Sequence, residues 1–320
     1  MRKLFVVLAF AGLAVTLGAQ PQAEIANSKI KAKLYLPDTE IGYYRATRFD
    51  WAGVIASLEA DGHNYFGKWF DRYDPKIHDA ITGPVEEFLT GDSALGYDEV
   101  KAGEKFVRIG VGALRKPEEK QFARFKTYEI VDYGRWTTRG GPDWMEFIHE
   151  LADTNGYAYV YRKRLSLTKD KAELVIDHSL KNTGRKVIDT SVYNHDFYIL
   201  DGQPTGPDVT VHFPFTLKAT PDFKNLAEMR GKDLVYLAEL KKGETVFTEF
   251  QGFGATSADN DFRVENRKAG IGVHQRGDQP ISKLVFWSIR TTVCPEAYVH
   301  MNIEPGKEFT WRIQYEFYKL

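Results

Sequence analysis

The chain has a single cysteine, Cys294, in 320 residues, so it cannot form an intramolecular disulfide and its own core must hold it together. Charge imbalance is also missing. The 43 Lys and Arg residues face 44 Asp and Glu, for a formal charge of -1, which argues against a nucleic-acid partner because phosphate binding draws on a basic surplus. There is no long amphipathic helical period, internal repeat, low-complexity tract or Pro/Ser linker. The sequence also lacks a Gly-x-Ser-x-Gly elbow, a phosphate-cradling Gly-rich loop and a dinucleotide fingerprint, and Cys294 has no catalytic signature around it.

At the N-terminus, Arg2 and Lys3 precede a continuous apolar stretch over residues 4–17, followed by Gly18 and Ala19. This pattern reads as a secretory signal cut after Ala19, which makes the protein secreted or periplasmic, with no membrane attachment after cleavage. Residues 20–39 read as a lead-in and residues 40–320 as one domain. Aromatic residues make up 14% of the chain, and that excess favours strands.

The pattern predicts an all-β protein, a large antiparallel β-sandwich, because many short alternating segments are separated by turn residues. Strands are expected over residues 43–49, 105–114, 125–132, 173–180, 187–193, 284–289, 297–303 and 309–317. Residues 144–151 fit either a helical or a strand face. The hairpin pair Asn155-Gly156 and the β-prone Tyr157-Ala158-Tyr159-Val160-Tyr161 beyond it decide for a strand. An irregular loop over residues 71–83 is placed to cross a ligand cleft.

Two segments far apart in sequence carry a proton donor and a proton acceptor. They are Tyr193-Asn194-His195-Asp196-Phe197-Tyr198-Ile199-Leu200 and Val293-Cys294-Pro295-Glu296-Ala297-Tyr298. The first resembles the Asn-His-x-aromatic-aromatic-x-Leu strand of the galactose mutarotase-like superfamily, which includes the aldose 1-epimerases. Two further segments are similar to that family's pattern: the Asn182-Thr183-Gly184 turn before this strand, and Glu304-Pro305-Gly306 leading to Tyr315-Glu316-Phe317. The resemblance runs from about residue 40 to the C-terminus.

That resemblance implies the family's supersandwich fold and interconversion of sugar anomers, with Glu296 as base and His195 as acid and no metal or cofactor. It implies a sugar or oligosaccharide partner. It also gives His78 a contact with the sugar, although Ile77-His78-Asp79-Ala80 departs from the family's Leu-His-Gly-Gly, and it makes Asn194 and Arg48 substrate-binding candidates. Glu86 and Arg124 read either as cleft residues or as paired structural charges. Trp287 reads either as a sugar platform or as core, and His178 reads as a satisfied core histidine. The spacing of His63, His78, Asp71 and Asp74 matches no metal-ligand signature. Two alternatives to the epimerase remain open on the same fold: a non-catalytic carbohydrate-binding protein, and a polysaccharide lyase or hydrolase.

Overall fold

Period-two burial organises the chain. In Tyr157–Leu167 the side chains of Tyr157, Tyr159, Tyr161, Lys163, Leu165 and Leu167 are buried while Arg162 faces solvent, as a strand packed on one face requires. The computed structural model describes residues 20–320, and the expected signal segment lies outside them.

Four paired strands open the fold: β1 (Gln22–Ala26), β2 (Ile30–Tyr35), β3 (Val54–Ala60) and β4 (His63–Phe66). Next come β5 (Val85–Leu89) and a meander of β6 (Lys105–Arg108), β7 (Gly112–Arg115) and β8 (Ile130–Asp132). The middle of the chain holds β9 (Arg135–Gly140), β10 (Trp144–Thr154), β11 (Tyr157–Leu167), β12 (Glu173–Asn182) and β13 (Ile188–His195). After them run β14 (Val209–His212), β15 (Ala227–Arg230), β16 (Asp233–Tyr236), β17 (Val246–Phe250), β18 (Asp261–Asn266) and β19 (Ile271–Gly277). The last three strands are β20 (Lys283–Ile289), β21 (Thr292–Ile303) and β22 (Glu308–Lys319).

The result is an all-β sandwich. A ten-stranded sheet, ordered β15-β16-β14-β18-β19-β22-β12-β11-β10-β9, faces a five-stranded sheet ordered β17-β20-β21-β13-β5. Between them Phe88 of β5 meets Tyr161 of β11 and Trp311 of β22 edge-on, with ring centroids 5.4 and 6.1 Å apart. Residues 144–151 lie in β10, and Asn155 and Gly156 take φ of 55 and 94 degrees, the left-handed pair that a two-residue hairpin turn needs.

Several expectations are corrected. The lead-in is part of the packed fold, because β1 and β2 place Ile25, Ile30, Ala32 and Leu34 in the main core. Residues 105–114 form a hairpin rather than one strand. The chain reverses at Gly110 (φ 78 degrees), where a Cβ would lie 2.5 Å from Asp50 Oδ1. Residues 43–49 and most of 125–132 are irregular. Their aromatics are satisfied by ring packing, as where Tyr43 stacks on Tyr35 at 3.8 Å and Tyr128 on Phe122 at 5.5 Å, so they need no sheet.

The space between the sheets also holds charge. Lys163 of β11 pairs with Glu86 of β5 and donates to the Ala52 carbonyl at 2.9 Å. His178 of β12 lies 2.7 Å from the other Glu86 oxygen and stacks on Trp311 at 4.5 Å. His178 is therefore a core histidine, as expected, but only Nε2 is satisfied, because its buried Nδ1 has no partner among the described residues.

Candidate active site

The face of the five-stranded sheet turned away from the ten-stranded one forms the floor of a cavity of about 290 Å³. Alternation decides which side chains reach it. From β13 it is His195, with Tyr193 buried on the same face, from β21 Glu296 and Tyr298, and from β20 Lys283, Val285 and Trp287, while the residues between them point into the core. The β13 to β21 ladder pairs Tyr193 with Tyr298, stops, and resumes as a bridge between Tyr198 and Val293. Carrying that register across the gap sets His195 opposite Glu296. The gap falls where Pro295 has no N–H to give and where Phe197 turns to φ 48 degrees.

His195 Nε2 stands 3.3 Å from Glu296 Oε1, and each side chain is only 5% exposed. The imidazole lies flat on Phe197 at 3.8 Å, with Phe49 and Trp287 edge-on at 5.7 and 5.5 Å. This aromatic box explains the titration of both groups. Burial pushes the Glu296 carboxyl up to about 8, against the pull of Arg48 and Arg124. Burial and then the charge of Arg48 push His195 well below its ordinary value. At neutral pH the pair thus holds one transferable proton, resting on the carboxyl.

One wall is an arginine cluster gathered on Glu87, which is fully buried on β5. Arg48 Nε donates to Glu87 at 2.9 Å, Arg124 makes a forked contact at 2.9 and 2.8 Å, and Arg108 donates at 3.2 Å. The Tyr193 hydroxyl donates to the same carboxylate at 2.5 Å. Burial would raise this carboxyl, but the three guanidinium groups hold it well below the usual carboxylate range. Because Glu87 also helps to raise Glu296, the variant Glu87→Gln is expected to titrate Glu296 below about 8. Carbon NMR of labelled glutamate reads this, and an unchanged or higher value would rule out the coupling.

Of the residues singled out from sequence, His195, Glu296, Arg48, Arg124, His78 and Trp287 all line this cavity. Two expectations are corrected. Glu86 and Asn194 point to the opposite face of the sheet, where Asn194 Nδ2 donates to Glu86 Oε1 at 3.0 Å and both are buried. The cause is strand parity, since each is the immediate neighbour of a residue that faces the cavity.

Sequence reading missed Glu87, Trp69, Phe125, Phe247, Lys283 and Tyr298. Parity from His195 and Glu296 points to Tyr193 and Tyr298, whereas nothing local marks Trp69. Its indole donates to the Ile81 carbonyl at 2.8 Å and stacks on Phe197 at 4.6 Å. Among the described residues, no three or more His, Cys, Asp or Glu side chains gather as a metal site would need. No helix of the described chain is long and apolar enough to cross a membrane.

No protein-family model matches the chain, and no curated protein does. Solved structures match it in fold. A GalM/aldose epimerase homologue from C. elegans aligns over 94% of this chain and 100% of its own, with a TM-score of 0.58 and 14% identity. A galactose mutarotase related enzyme from Lactobacillus acidophilus covers 93% of this chain and 97% of its own, with a TM-score of 0.57 and 14% identity. A putative aldose 1-epimerase from Escherichia coli K12 covers 94% and 100%, with a TM-score of 0.56 and 12% identity.

Proposed function

We propose, from a chain that has the galactose mutarotase-like fold, that it interconverts the anomers of an aldose by general acid and base catalysis at His195 and Glu296. The observation that carries this reading is the 3.3 Å pair at the base of an aromatic cavity, one partner raised and the other lowered in proton affinity. An aldose ring is a hemiacetal. Opening it takes a proton from the anomeric hydroxyl and gives one to the ring oxygen, while the bond between C1 and that oxygen breaks. Rotation about the bond from C1 to C2 and closure on the other carbonyl face reverse both transfers, so the pair ends with the proton it began with.

Glu296 serves as base and His195 as acid once the resting proton crosses from carboxyl to imidazole within the pair. Arg48 and Arg124 act on both halves of that crossing, pulling the Glu296 carboxyl toward its ionised form and opposing charge on the His195 imidazole. Trp287 and Phe125 supply flat apolar faces for a sugar ring, and Lys283 and His78 supply hydrogen-bonding groups. The N-terminal segment supports a setting outside the cytoplasm, where unphosphorylated sugars are the available aldoses. The test is NMR exchange spectroscopy on freshly dissolved glucose, galactose and other common aldoses, with wild type beside His195→Asn. Faster exchange with wild type alone is expected, and no acceleration with any aldose sinks the reading.

A further inference from the structure

Three cavities lie end to end along β20. The central one holds the His195 and Glu296 pair. A larger one of about 630 Å³ shares Trp69 with it, and a third of about 350 Å³ shares Arg124, Lys283 and Tyr298. The outward residues of β20 pass beneath all three, with Ile289 in the large cavity, Trp287 and Val285 in the centre, and Lys283 where the centre meets the third. From Ile289 to Lys283 a strand spans roughly 20 Å. A pocket for one hexose has no need of that length.

The rim has the same character. Phe247 and Phe125, both lining the central cavity, are 61% and 57% exposed, the two highest values among the large apolar side chains exposed at the described surface. Neither ring packs into a core, and each offers a flat face to an incoming ring. Phe70 adds a third aromatic in the large cavity, and Ser191, Ser282 and His300 bring hydroxyl and imidazole groups to the third cavity. Alternating aromatic faces and hydrogen-bonding groups match a sugar chain, whose rings present apolar faces and hydroxyl edges.

Most cations along the trough meet a carboxylate, although Lys241 has no ion pair among the described residues and Arg48 and Arg124 share Glu87 with Arg108. Lys242 meets Asp71 at 2.8 Å, Lys283 meets Glu249 at 3.3 Å, Arg290 meets Glu239 at 3.0 Å and His300 meets Asp189 at 3.2 Å. The lining of the three cavities carries six Lys and Arg against five Asp and Glu, without the cationic surplus that a polyanion calls for, so the geometry points to an uncharged chain. We propose that the trough along β20 holds a neutral oligosaccharide, with one sugar unit over His195 and Glu296 and its neighbours in the flanking cavities. This rests on the sugar reading of the central site but not on its chemistry.

Calorimetry with size ladders of methyl glycosides, from one to four units of cello-, galacto- and galacturono-oligosaccharides, separates the two ideas, because a methyl glycoside cannot mutarotate. At least one neutral series is expected to gain tenfold or more in affinity from one unit to four. Phe70→Ala and His300→Ala are expected to shrink that gain. Flat affinity in both neutral series overturns the proposal, as does a gain confined to the galacturonate series. A rising neutral ladder in a protein that exchanges no anomers removes the catalytic reading and keeps the trough.

Discussion

Glu296→Gln is expected to slow the proposed anomer interconversion by about two to four orders of magnitude, the range that one positioned proton-transfer group supplies. The fold is expected to survive, because Gln matches the shape of a carboxyl that already rests protonated at neutral pH, its burial having raised it to about 8. Retained melting temperature together with lost exchange separates a chemical role from a structural one. Undiminished activity in this variant would remove Glu296 from the mechanism.

The pH profile of kcat/KM in the wild type follows from the same pair. Between the depressed value of His195 and about 8 for Glu296 the pair holds one transferable proton, so the rate is level across neutral pH. As pH rises through about 8 that proton is lost and no donor is left for the ring oxygen. Activity therefore falls on the alkaline side. A rate that climbs through this range would mean that Glu296 acts as a base without His195 as its acid.

Lys163→Met destabilises the fold by about 3–5 kcal/mol, the cost of leaving a buried carboxylate without its partner. Lys163 and Glu86 are both fully buried, and Asp50 lies 3.8 Å from the same ammonium group. Burial pushes Glu86 up, and Lys163 with His178 more than reverses this, holding it down to about 2. The sign follows from that depression. The Glu86 contribution is fully present above its ordinary value of 4.5 and is lost as pH falls toward 2. Urea denaturation of Lys163→Met and of the double variant with Glu86→Leu checks the account. The double variant should recover part of the loss, and a single-variant cost under about 1 kcal/mol would sink the idea that this pair is uncompensated when broken.

Much of the architecture was legible because strand periodicity is local. Tyr157, Tyr159 and Tyr161 alternate, Asn155-Gly156 marks a hairpin, and the sandwich follows from many such segments. Arg48 and Arg124 were harder to place. Both sit on irregular chain where aromatic content imitates a strand, and it is Glu87 that brings them to one wall. Glu86 and Glu87 illustrate the limit most directly. They are adjacent identical residues, one fixing the core and the other the cavity wall, and only the parity of β5 tells them apart.

The sequence by itself determined most of the strands and turns from residue 144 onward, and that a histidine and a glutamate stand on two of those strands, because these depend on near neighbours in the chain. The tertiary structure alone decided that β13 and β21 meet in the register that sets His195 against Glu296. It also decided the proton affinities of that pair, which are set by burial and by Arg48 and Arg124 arriving from distant loops. Register and desolvation depend on groups far apart in the chain, and no local pattern encodes them.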